Sequence, residues 1–190
     1  RFLRAYAYFT LYRYYGGVPL IIEPTGPKPD YVPRATRQEM FKFLYDEMAY
    51  ALDKCLDNRS GIAYGRVTKG AVAGMLAKMK IFHASYIRRA EMYGNKINET
   101  TADDVDKTML YADAVKLCDD IIAGVYGTYK LEEYFPAVFT KRNNEIMFSV
   151  LAEEGVGTGN KIPMGFAGEG KYGATGGSNL TSWLTLLYDI

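Results

Sequence analysis

The stretch Thr68–Tyr93, TKGAVAGMLAKMKIFHASYIRRAEMY, decides the fold class. Thr68 is an N-cap residue type: its short hydroxyl side chain accepts a hydrogen bond from one of the first helical amides, which have no partner inside the helix. No proline interrupts the run that follows, and its apolar residues fall at helical spacing. Gly70, Ala73, Gly74 and Ala77 recur at i, i+3, i+4 and i+7 and predict a flat face against which another helix axis comes close. Val72, Met75, Leu76, Met79, His83 and Tyr86 make a bulkier stripe beside it. One helix with two unlike contact faces belongs in a stacked helical array.

Working outward, Gly94 to Lys107 is a polar, acidic connection. Residues 108–123 then predict a helix with Tyr111, Ala114, Val115, Cys118, Ile121 and Ile122 on one stripe, broken by Gly124 and Gly127. Upstream, Thr36 and Glu39 have the spacing of a capping box, and Phe41, Leu44, Tyr45, Met48, Leu52 and Cys55 continue it as a helix through residue 57. Residues 1–14 predict another helix with two apolar stripes, Phe2, Ala5, Tyr6 and Phe9 on one and Leu3, Ala7, Leu11 and Tyr14 on the other, which implies neighbours on two sides. Gly16-Gly17-Val18-Pro19-Leu20 ends it, and five prolines between Pro19 and Pro33 make the following segment an ordered loop, because proline supplies no amide to a sheet.

The expected fold is therefore mainly α, built from tetratricopeptide-like antiparallel helix pairs, 1–14 with 36–57 and 68–93 with 108–123, though without a strict repeat consensus. Residues 1–127 form the helical scaffold, and residues 128–190 an irregular, loop-rich and partly β segment of the same domain. That segment holds the β-prone run Glu145–Val150, a glycine-rich loop from Glu153 to Ser178, and Trp183, Leu184, Leu186 and Leu187, which could start another packed element.

Composition narrows the function classes. The chain has 190 residues, 48% of them hydrophobic and 24% charged, enough to bury a real core. Lys and Arg number 23 against 22 Asp and Glu, a net charge of +1, so no global field draws the protein to nucleic acid or an anionic membrane. Two cysteines, Cys55 and Cys118, are too few for a disulfide framework and are expected as reduced core fillers on apolar helix faces. The aromatics stand out, with 17 Tyr and 9 Phe beside a single Trp: a tyrosine-rich chain either packs helices through half-wet seams or offers rings to a ligand. No run approaches the roughly 18 apolar residues of a membrane span. The first residues, Arg1 to Tyr6, carry neither an initiator Met nor a secretion segment and are read as lying inside a helix of a longer chain.

Catalytic and metal signatures are weak. His83 is the single histidine and sits on a packed stripe, so a satisfied core histidine is the expected role and a triad the remote one. Gly165 to Lys171 matches the G-x-x-x-x-G-K phosphate loop, but Tyr172 stands where Ser or Thr must follow, which makes a chance match the better reading. Asp103, Asp104 and Asp106 lack the glycine and terminal glutamate of a calcium loop and are read as solvated. Adjacent Glu153 and Glu154 point to opposite faces of an extended segment, a poor geometry for glycoside hydrolysis. No catalytic residue, metal or cofactor is expected.

Several segments taken together resemble the SusD/RagB family of outer-membrane, substrate-binding lipoproteins: Arg1-Phe2-Leu3-Arg4-Ala5, Tyr15-Gly16-Gly17-Val18-Pro19-Leu20, Arg34 to Glu39, Gly65-Arg66-Val67-Thr68-Lys69 with Leu76-Ala77-Lys78, Tyr129-Lys130-Leu131, and Asn144-Glu145-Ile146-Met147-Phe148. The resemblance implies a mostly helical scaffold beneath a loop-rich face that captures oligosaccharide or polysaccharide at the cell surface. It also implies a SusC-like TonB-dependent transporter as partner, no nucleic acid, and membrane attachment only through a lipid anchor not present in this chain. A peptide-binding RagB-like uptake protein and a helical-repeat protein–protein adaptor are the alternatives. The motif residues read as scaffold; Arg66 is expected to tie loops together, with Glu39 or Glu145 as partners. Flat aromatic surface with hydroxyl-reading groups is what a sugar needs, and Trp183, Tyr172 and Asn179, in or beside the glycine-rich loop, are the candidate ligand-binding residues.

Overall fold

Three of the four described helices start at side-chain caps. In a computed structural model of the chain, which describes residues 1–23, 26, 31–57, 65–93, 105–135, 138 and 143–149, the helices are α1 (Phe2–Tyr15), α2 (Arg37–Lys54), α3 (Lys69–Met92) and α4 (Lys107–Ile122). The chain divides into two units, Arg1–Ser149 and Val150–Ile190, and every described residue lies in the first. At α2 the capping box is complete: the Glu39 amide donates to Thr36 Oγ1 at 3.2 Å, and the Thr36 amide donates to Glu39 Oε2 at 2.8 Å. Thr68 caps α3 by accepting from the Ala71 amide at 3.3 Å. For α4 the cap is Asp106, whose Oδ1 accepts from the Thr108 amide at 2.8 Å, so this helix starts one residue before the expected Thr108.

Side-chain pairings fix the helix directions. Between α1 and α2, Arg1 lies over the Tyr50 ring, Arg4 bonds Glu47, Tyr8 meets Phe43 and Tyr12 meets Phe41, so residue numbers rise on one helix as they fall on the other. The same antiparallel order joins α3 to α4, through Lys80–Asp113, Ser85–Tyr111 and Glu91–Lys107. It also joins α2 to α3, through Arg37–Tyr86, Phe41–His83 and Lys80 over Tyr45. The two expected antiparallel pairs are present. Phe41, Met40, Leu44, Met48, Val72 and Met79 are fully buried where α1, α2 and α3 meet. Each such side chain contributes about 1.5–3 kcal/mol of hydrophobic stabilisation.

Two local devices hold α1 in place. Glu47 is buried to 5% exposure in this core, and its carboxylate accepts from Arg1 at 3.0 Å and Arg4 at 2.8 Å, which keeps the charge paired. At the other end Gly16 takes φ +68°, a conformation glycine adopts without strain, while a Cβ on Gly17 would lie 2.0 Å from the Ala35 carbonyl oxygen. The Arg34 guanidinium donates to the carbonyls of Tyr15 and Gly17 and ties the return of the chain to this turn.

Several expectations change. The second α1 stripe meets no neighbour among the described residues: Leu3, Leu11 and Tyr14 are 63%, 41% and 75% exposed. Helix α4 packs through Leu110, Ala114 and Leu117 instead of the stripe through Val115, Cys118 and Ile122, which faces water. Cys118 is therefore an exposed thiol, and only Cys55 lies against the core. The small-residue face of α3 receives no helix at Gly70 and Gly74. A Cβ at Gly70 would collide with the Tyr129 ring, and one at Gly74 would touch Met147 Sδ at 3.5 Å. Residues 145–149 of the β-prone run are irregular, and the β pairing among the described residues is an isolated bridge between Leu56 and Thr68. The helical part of the fold expectation stands; among the described residues no strand is formed.

Candidate functional site

Three of the depressions on the described surface bear on function. The smallest, about 80 Å³, is polar and lies beside Asp57, Arg66, Thr68, Asn143 and Asn144. Its floor is structural. The Thr68 and Tyr129 hydroxyls are 3.0 Å apart, and Asn143 Oδ1 accepts from the amides of Glu145 and Ile146 at 3.0 and 3.1 Å, spending its acceptor on the backbone turn. Arg66 is exposed here and bonds neither expected partner: Glu39 serves its own capping box, and Glu145 Oε2 accepts from the Glu132 amide at 2.8 Å.

A second depression, about 500 Å³, opens between α2 and α3 near Val105, with Phe41, Tyr45 and His83 beneath a rim of Gln38, Glu39, Lys42 and Asp46. Its groups are engaged with one another. His83 is buried, lies face to face with Phe41 at 3.8 Å and 2°, and its Nδ1 is 2.9 Å from the Tyr45 hydroxyl. Lys80 covers the Tyr45 ring at 4.8 Å, and Lys42 pairs with Asp46 at 2.7 Å. Hydrogen bonds from the Thr36 amide and hydroxyl hold the Glu39 carboxyl below its ordinary value of 4.5. His83 thus fills the structural role expected for it, as a packing and hydrogen-bonding element.

The third depression is the largest of the three, about 590 Å³, and runs between the start of α1, α3 and residues 145–148. Phe2, Met75, Ile146, Met147 and Phe148 line it with apolar surface, and Tyr6, Lys78 and Glu145 bring polar atoms. Met147 forms one wall where it passes Gly74, its Sδ 3.5 Å from where a Cβ on that glycine would lie. Phe2 is held edge-on by Phe148 at 5.3 Å and lies nearly parallel to the Tyr6 ring at 6.4 Å and 19°. Spacing alone assigns Tyr6 to the buried stripe of α1, yet it is 42% exposed. Among the described residues neither Lys78 nor Tyr6 has a polar side-chain partner, and Glu145 keeps one carboxylate oxygen unengaged.

The candidate ligand-binding residues Tyr172, Asn179 and Trp183 lie outside the described residues, as do Gly165–Lys171, Glu153, Glu154, Asp103 and Asp104. Of the acidic triplet, Asp106 is the α4 cap. No group of three or more metal-ligating side chains occurs among the described residues, and no helix there is long and apolar enough to cross a membrane.

Residues 1–81 match the family model SusD-like_3, described as starch-binding associating with outer membrane. Over this segment the chain resembles that family. Its helical fold is also that of a solved SusD-like protein from Bacteroides fragilis, with a TM-score of 0.57 and 24% identity over 78% of this chain. The chain spans about a quarter of that protein, the match covering 25% of its length. No curated protein matches the sequence. The matched segment contains the Gly16-Gly17 turn, the Thr36 capping box and the first part of α3.

Proposed function

We propose that this SusD-like chain belongs to a cell-surface glycan-binding protein that captures oligosaccharides for import through a SusC-like TonB-dependent outer-membrane transporter. The observation that carries this reading is the match of residues 1–81 to a starch-binding, outer-membrane-associated family, on a scaffold with the fold of a SusD-like protein. The protein acts by binding and not by catalysis, and attachment to the membrane comes from a lipid anchor elsewhere in the polypeptide. In this reading residues 1–127 are the support, and residues 128–190 contribute Tyr172, Asn179 and Trp183 to the sugar.

Surface capture needs little affinity: a dissociation constant near 1 mM corresponds to about −4.1 kcal/mol, and several contacts along one glycan raise the effective affinity. The test is calorimetric titration of the purified protein with maltoheptaose and with xylan-, mannan- and arabinan-derived oligosaccharides, beside a tryptic peptide mixture. Saturable binding of at least one oligosaccharide, with the sugar recovered uncleaved and Trp183 fluorescence altered, is the expected result. Binding of peptides alone would move the assignment to a peptide-uptake protein, and cleavage of the sugar would overturn the non-enzymatic reading.

A further inference from the structure

We propose that the cleft between α1, α3 and residues 145–148 is a carbohydrate subsite on the helical scaffold, where a sugar ring lies on Tyr6 and its hydroxyls are read by Lys78 and Glu145. The inference rests on the glycan-binding reading and adds a location that the glycine-rich segment does not include.

Chemistry selects the occupant. A pyranose has an apolar face of C–H groups and a rim of hydroxyls that both donate and accept. Its site therefore needs a flat apolar surface bordered by at least one donor and one acceptor. Among the three depressions this cleft alone supplies all of them unengaged. Tyr6 offers an exposed ring whose orientation is set by Phe2, itself braced by Phe148. Lys78 supplies an ammonium donor with no acidic partner among the described residues, and the second carboxylate oxygen of Glu145 supplies an acceptor. Met75 and Met147 form adaptable walls, suited to rings of more than one stereochemistry. The volume of about 590 Å³ falls inside the ~300–1,000 Å³ range of small-molecule sites.

The other two depressions fail the same requirement. In the one between α2 and α3, Lys80 covers the Tyr45 ring, His83 meets its hydroxyl, and the rim charges are paired. The polar one beside Arg66, at about 80 Å³, has no room for a sugar ring.

The experiment is a maltoheptaose titration of the protein carrying 13C-methyl methionine, combined with calorimetry on variants. Shifts of the Met75 and Met147 methyl signals with the core Met48 unmoved, a Kd weakened about tenfold by Tyr6→Ala and about threefold by Lys78→Ala, and no change with Tyr14→Ala on the outer face of α1 are expected. Should Tyr6→Ala disturb folding, Tyr6→Leu keeps apolar bulk without the ring and gives the same comparison, and the methyl shifts need no variant at all. Binding of maltoheptaose with Met75 and Met147 silent and both variants at wild-type Kd overturns the subsite and leaves the glycan reading standing. Failure of the wild type to bind maltoheptaose or any of the other oligosaccharides overturns both.

Discussion

Replacing Gly70 with alanine puts two opposed energies on one atom. A Cβ at residue 70 would lie 2.1 Å from the Tyr129 hydroxyl oxygen and 2.3 and 2.4 Å from two ring carbons, so the ring has to leave. With it goes the 3.0 Å hydrogen bond between the Tyr129 hydroxyl and Thr68, the residue that caps α3. Helix propensity acts the other way: glycine to alanine gains about 0.5–1 kcal/mol inside a helix, and the lower figure suits the first turn. Displacing a packed ring costs about 1–3 kcal/mol, and the lost neutral hydrogen bond about 1 kcal/mol. The steric side wins. Gly70→Ala should destabilise the fold by about 2 kcal/mol, lowering Tm by about 4–8 °C for a chain of this size. In a Tyr129→Ala background the space is empty and the sign reverses, with Gly70→Ala raising stability by about 0.5 kcal/mol. Thermal unfolding of the four proteins by circular dichroism measures the cycle. Equal loss in both backgrounds would refute the steric account, and no loss in the wild-type background would refute the packing of Tyr129 on α3.

Glu47→Ala leaves Arg1 and Arg4 without their shared carboxylate. Because both arginines reach water, the loss should be about 1–2 kcal/mol in denaturant melts, most of it surviving at high salt because Glu47 itself is 5% exposed. Leu44→Ala, at a site with 0% exposure, should cost about 2–5 kcal/mol by the same assay; a cost under 1 kcal/mol would mean that the core is not where α1, α2 and α3 meet. Glu39 has a folded-state pKa below its ordinary 4.5, held there by Thr36, so its stabilising share is full above the unfolded value and disappears as pH falls through the folded one. The Tm curves of wild type and Glu39→Gln should therefore separate near neutrality and converge in acid, and a constant gap across that range would contradict the capping-box role.

Signals that depend on neighbours in sequence were legible. Thr36, Glu39 and Thr68 cap where their spacing says, since a cap needs only residues within three or four positions. The number of neighbours around a helix was not legible, because periodicity reports which residues are apolar and not what reaches them. Helix α1 has apolar groups on both faces, yet Leu3, Leu11 and Tyr14 stay exposed in the described unit. In α4 the choice between two overlapping stripes is made by α3, which takes Leu110, Ala114 and Leu117 and turns Cys118 outward. Tyr6 illustrates the same limit at the proposed subsite: it lies at helical spacing from Phe2 and Phe9, and only the path of residues 145–148 decides that its ring borders a cleft.

Gly74 joins that limit to function. Small residues on a helix announce a close approach without naming what approaches. Here Met147 arrives on a non-helical segment, and its approach forms one wall of the cleft that holds Tyr6, Lys78 and Glu145. An alanine at residue 74 would meet Met147 Sδ at 3.5 Å, an ordinary van der Waals distance, so Gly74→Ala should leave Tm unchanged or slightly raised and the Kd for maltoheptaose unaltered. Leucine at the same position has to project into the space between Met75 and Met147, and Gly74→Leu should weaken maltoheptaose binding by about tenfold or more without removing any group that touches the sugar. Calorimetry on the two variants separates cleft shape from side-chain chemistry. Undiminished binding by a folded Gly74→Leu protein would show that the sugar is held somewhere other than between α1, α3 and residues 145–148.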